Sequence, residues 1–187
     1  MRFKQYLLLE MSLAKAASFA ADKHQGQFRK TSGSPYITHP RGVYTILKDL
    51  RVKDIEIMVS AYLHDTIEDT PTSYNEIKRE FSKNVADTVR DLTSDNKEIK
   101  RIGKPEYLLQ KMLKMPDNSL TIKLADRVQN LSDLATSNIS FADKMWEQTW
   151  YIVSGLRQSR NLNTIHKKLL RKIEKQLISY KEQSHEI

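Results

Sequence analysis

The chain has 187 residues, of which 39% are apolar and 29% charged, with few glycines or prolines and no cysteine. That is enough for one well-cored domain and short for two, and it excludes disorder, disulfides and thiolate zinc sites. A formal net charge of +8 suits an anionic partner (nucleic acid, a membrane surface or a phosphorylated small molecule) and equally suits a plain solvated basic surface, so charge alone does not choose.

Residues 3 to 23 place Leu9, Leu13, Ala16, Ala17 and Ala20 at helical spacing. The opening MRFKQYLLLEMSLAKAASFA, interrupted by Glu10 and Lys15, is a poor signal peptide, and no apolar run approaches the roughly 20 residues that span a bilayer. A cytoplasmic protein without a membrane partner is expected. GQFRKTSGSPYITHP follows as a loop, and Pro40 suits the first turn of a helix running to about Leu50. Asp54 starts another helix, which runs through AYLHDTIEDTP and ends before Pro71. Ser73-x-x-Glu76 is a capping box for a short helix ending near Phe81, and Ser82 caps the next, with Val85, Val89 and Leu92 in register. Residues 95–104 form a polar connection. A helix from about Tyr107 to Lys114 stops before Pro116, and Asn118 or Ser119 opens LTIKLADRVQNLSDL. Two long helices, about 140–160 and 162–183, finish the chain. The fold class is all-α, a single domain over residues 1–187.

The chemistry begins at AYLHDTIEDTP. Asp65, Glu68 and Asp69 crowd the end of a helix, where the dipole and their mutual repulsion both disfavour them. On an unbroken helix Glu68 stands four residues after His64, and Asp69 four after Asp65, so the four groups share a side. A divalent cation would offset their charge; the plainer reading is a solvated acidic helix end. His39, at the end of the glycine-rich loop, and Asp126, in IKLADRVQNL, extend the set to His…His-Asp…Asp. Such nitrogen and oxygen ligands suit Mn²⁺, Fe²⁺, Co²⁺ or Zn²⁺ better than Ca²⁺. Four of them leave room on an octahedral ion for water and a phosphate oxygen.

His39, His64-Asp65 and Asp126 match the signature of HD-domain phosphohydrolases. The blocks HQGQFRKTSGSPYITHPRGV, AYLHDTIEDTP, FSKNVADTVRDLT, GKPEYL and IKLADRVQNL resemble, in order and spacing, the hydrolase domain of RelA/SpoT-type proteins, above all its free-standing form, the small alarmone hydrolases. The resemblance covers about residues 10–156. It implies an all-helical HD hydrolase using one Mn²⁺ ion, which removes the 3′-diphosphate from guanosine 3′,5′-bis(diphosphate) and its triphosphate relative to give pyrophosphate and GDP or GTP. It implies His39, His64, Asp65 and Asp126 as metal ligands and Glu68 and Asp69 as the catalytic acids acting on the attacking water. It also implies Arg29, Lys30, Lys104 and Asn130 as contacts to the phosphorylated nucleotide substrate. Residues 97–114 hold six basic residues against two acids, which suits a phosphate-facing rim and equally suits exposed cations.

The chain departs from its relatives at two places. Gln129 stands where the family often has a histidine, and FADKMWEQTW places Phe141 and Met145 where relatives carry an Arg and a Tyr, with Lys144 or Trp146 as the available substitutes. Other substrates for the same site are an adenosine alarmone, NADPH or pyrophosphorylated tRNA, and a free-standing hydrolase can serve as antitoxin to a toxic alarmone synthetase. A basic helical nucleic-acid-binding protein with an incidental HD pair ranks last. GQFRKTSG is no P-loop, since Gly33 is followed by Ser34 and Pro35. The seam Leu162, Ile165, Leu169, Ile173 and Leu177 on the closing helix is expected to pack on the domain or on another copy in a homo-oligomer.

Overall fold

The computed structural model describes residues 3–134 and 137–184. Among the described residues there are helices, turns and one isolated antiparallel bridge between Phe28 and Pro35, with no strand. Two compact units divide the chain: residues up to Arg29 with Gly33–Thr93, and Lys30–Ser32 with the chain from Ser94 onward.

The first unit holds α1 (Phe3–Lys23), α2 (Thr38–Asp49), α3 (Ile55–Leu63), α4 (Thr66–Asp69), α5 (Tyr74–Glu80) and α6 (Lys83–Leu92). Its centre is α3, which packs against α1, α2 and α6. All residues from Ile57 to Leu63 are buried, as expected of a helix that is apolar all round. Ala16 and Ala20 of α1 meet Val59, Tyr62 and Leu63, with Ile77, Val85, Ala86 and Val89 completing the core. The caps follow the sequence. Asp54 accepts from the amides of Glu56 and Ile57 at 2.9 and 3.2 Å, Ser73 from Glu76 and Ser82 from Val85, both at 3.1 Å. The Glu76 carboxylate pairs with Lys23 Nζ at 2.7 Å.

One expectation fails in this unit. The helix opened by Asp54 does not run to Thr70; it stops at Leu63, and a separate turn begins at Thr66. Two side chains reach back for main-chain oxygens there: His64 Nδ1 lies 2.9 Å from the Ala61 carbonyl and Thr66 Oγ1 2.7 Å from that of Leu63. Such local contacts compete with the helical ladder.

The second unit holds α7 (Asn96–Ile102), α8 (Lys104–Lys114), α9 (Asp117–Leu131), α10 (Ile139–Ser159) and α11 (Thr164–Ser184). The polar connection expected at 95–104 is mostly helix, because the Asp95 carboxylate caps the amides of Lys97 and Glu98 at 2.9 and 3.3 Å. Apolar period is weak in this short, largely exposed helix, and only its cap announces it. Helix α9 packs on α11, and α8 on α10. Gly155 of α10 allows close approach: a Cβ there would lie 2.6 Å from Leu109 Cδ2. The seam of the closing helix is used, with Leu169, Ile173 and Leu177 fully buried. Arg160 closes α8 by donating to the carbonyls of Met112, Leu113 and Met115 at 2.6, 3.0 and 2.6 Å and to Asp117 at 2.9 Å, a cation at the negative end of a helix.

His166 is fully buried on α11, with Nε2 3.1 Å from the Asp117 carbonyl and 3.0 Å from Thr121 Oγ1. Burial lowers its pKa below 6.5, against the opposing pull of the Asp117 carbonyl and charge. The unfolded chain therefore takes up this proton first, so stability is full above the unfolded pKa and is lost as pH falls through the window below it. The stability advantage of the wild type over His166→Gln is expected to shrink between about pH 8 and pH 5, as followed by urea unfolding; a constant difference would refute the assignment.

Candidate metal centre

His39 and His64 arrive from different elements. The loop before α2 is tied by main-chain bonds from Gln27 to the His24 oxygen, Tyr36 to Gln27, and Arg29 to Ser34, at 3.0, 2.9 and 2.8 Å. Its turn needs the left-handed Gly33, at φ 68°. This loop delivers His39 to the first turn of α2, where it is 2% exposed. His64 and Asp65 occupy the break after α3, with Asp65 at φ −100°, ψ −3°.

Three atoms converge. His64 Nε2 lies 3.2 Å from His39 Nε2 and 3.1 Å from Asp65 Oδ2, and His39 Nε2 is 3.5 Å from the same carboxylate oxygen. The Ala61 carbonyl only accepts, so the neutral His64 ring carries its proton on Nδ1 and turns a bare lone pair at Nε2 toward the carboxylate. Two acceptors facing each other repel unless a proton or a cation lies with them. A ring tied through its other nitrogen to a carbonyl is the usual way a metal-binding histidine is oriented. The donor set therefore fits a divalent cation of the nitrogen- and oxygen-loving kind. Burial alone would raise the Asp65 carboxyl; with both rings protonated, the His64 charge and hydrogen bonds from His39 and His64 outweigh burial and hold it well below the usual range.

Asp69 sits beyond this cluster. The Tyr36 hydroxyl is 2.7 Å from Asp65 Oδ2 and 3.0 Å from Asp69 Oδ2. Burial first, then the Asp65 charge, raise the Asp69 carboxyl; the hydrogen bond from Tyr36 opposes this and Glu68 adds to it. Tyr36 itself is pushed up, by burial and then by the two carboxylates. Glu68 is exposed on α4.

In the second unit, buried Asp126 on α9 is held from both sides. Asn130 Nδ2 donates to its Oδ1 at 2.6 Å, and Lys123 Nζ lies 3.0 Å from its Oδ2. Asn130, expected to contact the nucleotide substrate, thus directs its amide to Asp126. Lys104 is exposed at the start of α8, Lys30 is exposed, and Arg29 is half-buried. Within the first unit the structure brings together His39, His64 and Asp65, with Asp69 joined through Tyr36; Asp126, Asn130, Lys30 and Lys104 belong to the second. Sequence reasoning missed Tyr36, His24 and Gln27. The only available signal was their place in the loop leading to His39.

An all-helical chain that gathers two imidazoles and an aspartate from a loop-to-helix junction and a broken His-Asp helix end is of the metal-dependent His/Asp class. The chain belongs to the HD-domain family, whose description "HD domain" is matched by residues 16–160. It is 41% identical over 127 residues to guanosine-3′,5′-bis(diphosphate) 3′-pyrophosphohydrolase MESH1 of Mus musculus, covering 65% of this chain and 69% of that protein. It is 34% identical over 163 residues to the bifunctional (p)ppGpp synthase/hydrolase SpoT of Escherichia coli K12, covering 84% of this chain but 23% of that longer protein. A solved structure described as a metazoan ortholog of SpoT that hydrolyzes ppGpp and plays a role in starvation responses matches with a TM-score of 0.78 at 26% identity. That match covers 90% of this chain and 94% of that one.

Removing one member of the converging set is expected to cost more divalent-ion affinity than the ~10–100-fold typical of losing a group that merely supports a ligand. Calorimetric titration of His64→Ala and Asp65→Asn measures it, and an ion affinity equal to wild type in either variant would dismantle the site.

Proposed function

We propose that this protein is a metal-dependent hydrolase that removes the 3′-diphosphate from guanosine 3′,5′-bis(diphosphate) and its triphosphate relative, releasing pyrophosphate and GDP or GTP. The observation that carries this reading is the convergence of His39, His64 and Asp65, with Asp69 one hydroxyl away, in a chain whose relatives carry that activity in their names. The substrate is a phosphorylated nucleotide. The chain works as one HD domain, and Asp126, poised by Asn130 and Lys123, serves as the fourth ligand.

When bound, one divalent ion, Mn²⁺ in this reading, polarises a phosphoryl oxygen and lowers the pKa of the attacking water. The chain's own residues do the rest. His64 offers Nε2 because the Ala61 carbonyl holds the proton on Nδ1. Glu68 and Asp69 orient the water and take its proton. Water adds to the phosphorus nearest the ribose, the bond from that phosphorus to the 3′ oxygen breaks, and the oxygen leaves with a proton as the 3′ hydroxyl. Arg29 and Lys30 hold the diphosphate, Arg through paired hydrogen bonds and Lys as a point charge. Lys104 contributes a further cation to the phosphate rim.

One turnover assay with Mn²⁺ tests the substrate: guanosine 3′,5′-bis(diphosphate), an adenosine alarmone, NADPH and pyrophosphorylated tRNA are compared for release of phosphate or pyrophosphate. Pyrophosphate released fastest from the guanosine compound supports the reading, and inactivity on it overturns it. Glu68→Gln and Asp69→Asn are expected to keep the ion and the substrate but lose turnover by about 10²–10⁴-fold, the usual worth of acid–base assistance. Arg29→Ala should raise KM more than it lowers kcat. Steady-state kinetics beside metal analysis decides, and near-wild-type turnover in both carboxylate variants would reduce these acids to an ordinary helix end.

A further inference from the structure

Behind the acidic turn lies a group of polar side chains that metal binding alone does not require. His24, the residue after α1, is 3% exposed, and its ring stacks on that of Tyr36 with centroids 4.7 Å apart. Its Nδ1 lies 2.7 Å from Gln27 Oε1, and the Gln27 amide donates to the Asp69 carbonyl at 2.8 Å. The side-chain oxygen of Gln27 can only accept, so His24 is the donor and the amide of Gln27 is oriented toward α4. That amide satisfies a carbonyl at the end of a four-residue helix, where the ladder provides no partner. The same loop presents Tyr36, whose single hydroxyl spans Asp65 Oδ2 and Asp69 Oδ2.

We propose that Tyr36 is a positioning residue for hydrolysis: its hydroxyl holds the Asp69 carboxylate in fixed relation to Asp65, while His24 and Gln27 hold the Tyr36 ring and the α4 turn. The hydrolytic part of this inference rests on the function proposed above. Two carboxylates a short distance apart repel, and α4 is too short to resist by itself. A shared O–H donor with two oxygens in reach offsets that repulsion and sets their separation. The stacked imidazole fixes the phenol ring's plane, and the Gln27 amide fixes the main chain that carries Asp69. A tyrosine retained only for packing would need its ring and not its hydroxyl, so Tyr36→Phe separates the two roles.

The experiment compares wild type, Tyr36→Phe, Asp69→Asn and the double variant on guanosine 3′,5′-bis(diphosphate) at saturating Mn²⁺. Tyr36→Phe is expected to lower kcat about 10–100-fold, the range for supporting groups around a metal site, with KM little changed. If Tyr36 acts through Asp69, the double variant falls within about twofold of Asp69→Asn alone, whereas independent sites would multiply their losses. A kcat near wild type in Tyr36→Phe, or multiplied losses in the double variant, overturns the proposal. Two readouts do not need turnover. Gln27→Ala should speed hydrogen exchange of the Asp69 and Thr70 amides about three- to tenfold, the worth of one hydrogen bond, and Tyr36→Phe should weaken binding of Mn²⁺ alone by about tenfold or more. If the wild type leaves the alarmone intact, the functional reading falls and these two measurements decide: both changed sustains the clamp, either one unchanged removes it.

Discussion

The hydrogen bond between His64 Nδ1 and the Ala61 carbonyl, 2.9 Å long, fixes three things. It settles the tautomer of His64, so that Nε2 faces the site as an acceptor. It engages a carbonyl of the last turn of α3, and with Thr66 Oγ1 on the Leu63 carbonyl it ends that helix. The break then turns Asp65 until its Oδ2 meets both imidazoles. An unbroken helix would set the side chains of His64 and Asp65 about 100° apart around its axis. Behind this break lies the buried Ile57–Leu63 stretch of α3, and the loop before α2 carries His39 and Tyr36 up to it.

The same break resolves the crowding that the sequence poses. On one continuous helix, Asp65, Glu68 and Asp69 would all lie at the negative end of the dipole. In the structure Asp65 instead precedes a new turn, and Glu68 and Asp69 close a helix of only four residues, whose dipole is far smaller than that of one continuous helix. Repulsion between Asp65 and Asp69 remains, and after burial it is the larger part of what raises the Asp69 carboxyl. The Asp65 anion is stabilised by the imidazoles when they carry charge, and the Tyr36 hydroxyl meets both carboxylates. A net charge of +8 spread over the chain has little part in this balance, which neighbours within hydrogen-bonding distance decide.

What the sequence disclosed follows from the range of the forces involved. Helix starts at Asp54, Ser73 and Ser82 were legible because an N-cap is a local bond between a side chain and amides two or three residues on. The buried seam of α11 was legible because burial imposes a period. Asp95 used the same capping chemistry but was passed over, since α7 has no buried face to reinforce it. The halt at His64 left no mark because it depends on two short side-chain bonds within a run that is apolar on every side. The candidate ligands carried their own chemistry in their residue types. Tyr36, His24 and Gln27 did not, for their part comes from stacking and from contacts across 29 to 42 residues of sequence.

The resemblance read from the sequence implies an Arg and a Tyr where Phe141 and Met145 stand, and the local chemistry narrows what could replace them. Trp146 donates its indole N–H to the Leu177 carbonyl at 2.9 Å, and Lys181 lies over its ring at 4.7 Å. Its one polar hydrogen is thus committed to joining α10 and α11, and its ring stacks on Trp150. Phe141 is 46% exposed but has nothing to offer a phosphate. Of the two substitutes read from the sequence, the cation left is Lys144, exposed one turn after Phe141 on α10. A lysine there offers charge without the paired, planar hydrogen bonds of a guanidinium.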